Sequence, residues 1–175
     1  MIKYIIVLCI VTLWPLQSMA LEEETMYSTQ TFSLDEIVGQ ISKFTTTPSG
    51  GKDWMLFSQT KEIPYKINRD GEEWEGVKPE FPDTIKKLDN KEVVMTGYMF
   101  PLDQTENQSQ FLFGPFPLSC PYHYHAPNSL IIEAHAVKPI PFSYEPITIK
   151  GTLELVPEDL EYNIFYRLKE VALQK

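Results

Sequence analysis

The sequence predicts a mainly β domain of the α+β kind, and three observations carry that expectation. Beyond residue 83, five short apolar runs arrive at close intervals, near 92–102, 110–116, 129–137, 147–156 and 163–173. Gly97 and Gly151 fall inside two of these runs, where glycine marks a bulge or the tight bend that lets a sheet curl. Upstream, Ser33 and Glu36 have capping-box spacing, and Leu34, Ile37, Val38, Ile41 and Phe44 recur at helical intervals. Short antiparallel strands with a covering amphipathic helix suit a small, partly open five-stranded antiparallel barrel of the OB type. A sandwich or an α+β roll is the competing arrangement.

In chain order, residues 1–20 carry Lys3, an apolar run from Tyr4 to Trp14, Pro15, and the small side chains Ser18 and Ala20. This is the pattern of a signal peptide cleaved after Ala20, and the apolar run is shorter than the roughly 20 residues a membrane span needs. The mature chain is then expected in the periplasm with no membrane insertion. Residues 21–82 read as a polar lead-in, the helix at 33–44 and a cover segment. The TTTPSGGK stretch ends that helix, and 53–67 reads as either a strand pair or an irregular cover. Residues 68–83 place two prolines and two glycines among acids, so they read as a surface loop in which Trp74 alone packs. A short helical turn at 83–88 opens the barrel region, 83–175.

Composition narrows the partners. The chain has 175 residues, 43% of them hydrophobic, which excludes a disordered or fibrous protein. Removing residues 1–20 takes away only Lys3 among the charges and leaves 14 basic against 24 acidic residues, a net charge of −10. That surface disfavours nucleic acid, anionic membranes and anionic substrates.

Cys9 lies in the signal peptide, so the mature chain keeps Cys120 alone and forms no internal disulfide. A lone thiol in an oxidising compartment is buried and inert, bridged to another chain, or held as a ligand or reactive group. Its neighbours are distinctive, because residues 118–136 hold Cys120 and all three histidines. Thiolate and neutral imidazole are the ligands that zinc and copper(I) prefer. Cys120 and His123 form a C-x-x-H step, and His125 follows. Period-two alternation puts His135 on one strand face with Glu133. Cys120, His123, His125 and His135 are therefore the candidate metal ligands, zinc the candidate ion, and Glu133 a further ligand or orienting partner. Pro121 and Pro127 support a purely conformational reading of the same loop. A Cys120 nucleophile with a histidine base is a third. No G-x-S-x-G elbow and no glycine-rich phosphate loop is present, so the chain does not read as an enzyme.

The run VVMTGYMFPL, a phenylalanine-rich strand, the C-x-x-H step with a Pro-Asn pair, and ITIKGTLEL together resemble an exported bacterial family, domain of unknown function 3299. The likeness covers about residues 74–172. Gly97, Tyr98, Pro101, Leu102, Cys120, His123, Pro127 and Asn128 match the family's G-Y-x-x-P-L strand end and cysteine-histidine loop. Tyr122, Tyr124 and His125 depart from it, standing where the family has a denser proline run. The helix at 33–44 lies outside the likeness. The resemblance implies a periplasmic protein, often encoded beside permease and ATPase components of ABC transporters and in some cases in zinc-responsive settings, with no established activity. The expected role is a periplasmic binding or accessory module, with zinc as its candidate metal and an ABC transporter component as its candidate partner. The alternative is a structural barrel whose aromatic residues Tyr98, Phe100, Phe111, Phe113 and Phe116 dock another protein.

Overall fold

A computed structural model describes residues 32–174. The expected signal peptide and the lead-in before Phe32 lie outside the described residues. Among the described residues, no helix is long and apolar enough to cross a membrane.

Helix α1 (Leu34–Gln40) starts as the capping box predicts, with Glu36 N–H donating to the Ser33 hydroxyl and Ser33 N–H donating to Glu36 Oε2 at 2.8 Å. A 3-10 turn (Ile41–Lys43) continues it. Ile37 and Ile41 are buried and Val38 is half-buried, whereas Leu34 is 48% exposed. Phe32, just before the cap, packs against the core on that side instead. A four-residue helix α2 (Trp54–Phe57) then forms where a strand pair or irregular cover was expected, capped by Asp53. It is pinned to the barrel by Trp54 Nε1, which donates to the Thr96 carbonyl at 2.8 Å.

The largest correction concerns residues 61–80. These form an antiparallel hairpin, β1 (Lys61–Arg69) and β2 (Glu72–Glu80), in place of the surface loop expected over 68–83. The turn explains it: Asp70 and Gly71 have φ of 56° and 87°, the positive pair that a type I′ hairpin turn requires. The acids that suggested a loop lie on an exposed ladder, where Lys66 bridges Glu73 at 2.7 Å and Glu75 at 2.9 Å. Trp74 is 53% exposed, and Val77 and Phe81 pack on the core in its stead. Pro64 pairs with Val77, whose N–H turns outward to Asn163 Oδ1, so this pair presents its backbone to the hairpin's two free edges. Pro79 falls in the same phase. Two prolines at outward positions deny a further strand its donors, which protects both edges from intermolecular pairing.

After α3 (Asp83–Lys86), five strands close a barrel: β3 (Glu92–Pro101), β4 (Asn107–Gly114), β5 (Ile132–Pro141), β6 (Ile147–Leu155) and β7 (Tyr166–Leu173). The ring order is β3-β4-β5-β7-β6, with β6 returning to β3. The barrel is closed and mixed, where a partly open antiparallel one was expected, because β5 and β7 run parallel. Parity is the reason. Five strands that alternate up and down cannot alternate all the way round a ring, so one neighbouring pair must run the same way.

Gly151 sits at the register shift between Lys150 and Thr152, and a Cβ there would meet the Lys169 carbonyl oxygen at 2.6 Å. Gly97 is equally close to the Gly114 carbonyl. Gly151 thus marks a bulge, one of the two features expected of a strand-interior glycine, and at both positions the neighbouring backbone leaves no room for a side chain. Met95, Phe111, Phe113, Ile132, Ile149, Leu153, Tyr166 and Leu168 fill the interior. Phe111, Phe113 and Phe116 are fully buried and cannot form the aromatic docking surface considered from sequence.

Candidate functional site

The cysteine-histidine segment folds as a turn. Cys120 N–H donates to the Pro117 carbonyl at 3.0 Å, and a 3-10 helix (Pro121–His125) follows. Cys120 is 6% exposed and belongs to the core. His123 Nδ1 donates to the Cys120 carbonyl, and its ring lies between Phe100, at a centroid distance of 6.0 Å, and Tyr124, at 3.7 Å. The His125 ring meets Phe32 edge-on at 5.4 Å, and Tyr122 packs among Phe32, Phe44 and Phe116. Tyr122 and His125, two of the residues that break the expected proline-rich pattern, therefore pack on the N-terminal segment that the resemblance does not cover.

His135 is placed elsewhere. It stands on the outer wall of β5, where its Nε2 lies 3.0 Å from Glu133 Oε1, within ion-pair distance but misaligned for a hydrogen bond. The predicted sharing of a face by Glu133 and His135 holds, since Ile132 and Ala134 point into the barrel and the other two do not. Cys120, His123 and His125 thus share one turn, and His135 is engaged with Glu133 on the wall. Among the described residues, no group of three or more His, Cys, Asp or Glu side chains is arranged to hold a metal ion.

The wall that carries His135 also carries a cleft of about 420 Å³, lined by Leu102, Gln110, Leu112, Glu133, Tyr162 and Ile164. Strand pairing assembles its floor, because β4–β5 register sets Leu112 opposite Glu133 and Gln110 opposite His135. On the far side, β5–β7 and β6–β7 register aligns Glu133 with Arg167 and Arg167 with Glu154. Arg167 donates through Nε to Glu133 Oε2 at 2.7 Å, its Nη2 lies 2.7 Å from the same oxygen, and its Nη1 lies 3.5 Å from Glu154. Gln110 Nε2 donates to Glu133 Oε1. The loop between β3 and β4 supplies Leu102, and the loop between β6 and β7 supplies Tyr162 and Ile164. Sequence reasoning found Glu133 but not the cleft, whose members come from four separated segments.

Partial burial pushes the Glu133 carboxyl up, but His135 at ion-pair distance and the bond and charge of Arg167 outweigh it and hold the group below its ordinary 4.5. A depressed folded-state value contributes stability above the unfolded value that is lost as pH falls through the folded one. Glu133→Gln should therefore flatten the loss of stability between about pH 5 and about pH 3 relative to wild type. Urea unfolding midpoints followed across that range check it, and parallel curves for the two proteins would contradict it.

These features define a small β-barrel protein with a loop-walled cleft on its outside. The chain belongs to the family described as protein of unknown function (DUF3299), whose model matches residues 52–175. The match begins ahead of the hairpin and leaves α1 outside. The chain is also similar to the crystal structure of a DUF3299 family protein from Pseudomonas aeruginosa PAO1, at 23% identity, covering 55% of this chain and 68% of that one, with a TM-score of 0.42. Comparison with curated proteins gives no match.

Proposed function

We propose that the protein is a binding module of the bacterial envelope, exported to the periplasm, in which an OB-type barrel holds its ligand on the β4–β5 wall without covalent chemistry. The observation that carries this reading is the cleft lined by Leu102, Gln110, Leu112, Glu133, Tyr162 and Ile164. The ring order and the parallel β5–β7 pair support the OB assignment. In barrels of that type the second and third strands, with the loops after the first and fourth, carry the ligand. Here those segments are β4, β5 and the loops at 102–106 and 156–165. Fold analogy alone would be a weak warrant, but the cleft lies between those same segments.

A partnership with an ABC-type envelope transporter belongs to the same proposal and rests on the family resemblance. A zinc role needs its ligands to converge, whereas His135 stands on the wall with Glu133, so the geometry favours the cleft over the cysteine-histidine turn. Amide NMR of the isotope-labelled protein with a library of small neutral fragments, and separately with zinc, tests this reading. Fragment-induced shifts should gather on Gln110, Leu112, Glu133, Tyr162 and Ile164. Fragments that ignore the wall, or zinc that moves His123, His125 and His135 together, would replace the cleft with a metal site or another surface.

A further inference from the structure

We infer that the wall cleft takes an extended peptide segment of another protein, which inserts one bulky apolar side chain flanked by Lys or Arg. The inference rests on the binding-module reading above and names its ligand class.

The rims are the first argument. Leu102 is 53% exposed and Tyr162 is 70% exposed, yet each belongs to a loop tied down by an aspartate. On one side, Asp103 Oδ1 accepts from Thr105 N–H at 2.8 Å and from Gln108 Nε2 at 3.0 Å. Gln108 is fully buried and also donates to the Thr105 carbonyl at 2.6 Å. On the other side, Asp159 accepts from the N–H groups of Glu161 at 3.0 Å, Tyr162 at 3.2 Å and Ile164 at 3.3 Å. Asn163 Oδ1 accepts from Val77 N–H at 3.1 Å, which ties the same loop to β2. Two apolar side chains are thereby held in solvent on opposite rims by bonding rather than by burial. Pre-ordered loops of this kind lower the entropy lost when a ligand binds.

The floor decides the chemistry. Both oxygens of Glu133 are engaged, Oε1 by Gln110 and His135 and Oε2 by Arg167, so the only ionised group in the cleft is already compensated. A sugar needs several unfilled polar partners and finds few. An anion needs a free cation, and residues 101–114 and 156–165 contain no Lys or Arg. Leu102, Leu112, Ile164 and the Tyr162 ring instead form an apolar slot. Gln110, having given its N–H to Glu133, keeps a carbonyl that can accept from a peptide N–H. A volume of about 420 Å³ is at the small end for ligand pockets and suits one bulky side chain with its adjoining backbone. Asp103, Glu106, Glu158, Asp159 and Glu161 make both loops acidic, which favours basic residues on either side of the anchor.

The test uses the capped pentapeptide acetyl-Lys-Lys-Leu-Lys-Lys-amide, its Leu-to-Ala and Glu-flanked counterparts, and chitotriose, each titrated into the folded chain by amide NMR. The first peptide should shift Gln110, Leu112 and Glu133. Losing its leucine should weaken binding about tenfold, the loss expected for one buried leucine side chain. Leu112→Gln should do the same with an unchanged unfolding midpoint, and Tyr162→Ser provides a loop variant should Leu112→Gln fail to fold. Raising NaCl from about 50 mM to about 500 mM should weaken binding by screening the flanking charges. Chitotriose shifting these amides while the peptides do not would overturn the peptide class and leave the cleft standing. Neither molecule reaching the wall, or equal binding of the Ala counterpart, would overturn the inference, and the former would remove the cleft reading with it.

Discussion

Replacing Phe113 with alanine lowers the unfolding free energy by about 3–5 kcal/mol, a large part of the roughly 5–15 kcal/mol that holds an ordinary domain together. Phe113 is fully buried, and its ring lies 5.7 Å from Trp54 and 6.4 Å from Phe111, so it joins α2 to the barrel interior. The space it leaves cannot close easily. The backbones of Gly97 and Gly114 already approach so closely that a Cβ on Gly97 would lie 2.6 Å from the Gly114 carbonyl oxygen, which prevents the strands from moving inward. Urea unfolding followed by Trp54 fluorescence and by circular dichroism gives the number. A loss below about 1 kcal/mol would mean that the core collapses around the gap.

Gly151→Ala should destabilise by about 3 kcal/mol, in the upper range for overpacking. Its Cβ would lie 2.6 Å from the Lys169 carbonyl oxygen, 2.9 Å from Leu168 Cγ and 3.2 Å from Val171 Cγ2. The carbonyl is part of the β6–β7 ladder and has no rotamer to escape into, so relief requires β7 to move away from β6. Gly39→Ala is the matched control. It lies within α1, nothing stands within 4 Å of its Cβ position, and the same change there should stabilise by about 0.5–1 kcal/mol. Equal effects at the two glycines would contradict the close approach at the β6–β7 bulge.

The barrel strands were legible because burial writes itself as alternation: Val93, Met95, Gly97 and Met99 point inward, with half-exposed residues between them. The hairpin was obscured by the feature that protects it. Pro79, Pro82 and the acids read as loop signals, although Pro79, like Pro64 on the partner strand, occupies an outward backbone position and the acids pair with lysine across an exposed ladder. The Asp70–Gly71 turn was the signal that could have found it. At the site, the shared face of Glu133 and His135 followed from strand periodicity. Their meeting with Gln110 and Arg167 did not, since register between strands is set by the whole ring. Tyr162 enters the cleft from the loop between β6 and β7, and spacing along one segment cannot reveal such an encounter. The gathering of histidines near Cys120 reads in three dimensions largely as aromatic packing, with Phe100 and Tyr124 against His123 and Phe32 against His125.

The parallel β5–β7 pair sets the order in which the chain can mature. β7 follows all its partners in sequence and inserts between β5 and β6. Until it arrives, β6, β3, β4 and β5 can form only an open sheet, whose exposed margins on β5 and β6 are the two surfaces β7 must bridge. A chain emerging from its N-terminus completes that open sheet only once β6 is out, near the end of synthesis, and its contacts are the long-range kind that form slowly. Closure is thus a late event governed by the stretch Tyr166–Leu173. A chaperone that shields the waiting margins would speed recovery of the native protein most when this stretch is last to be released.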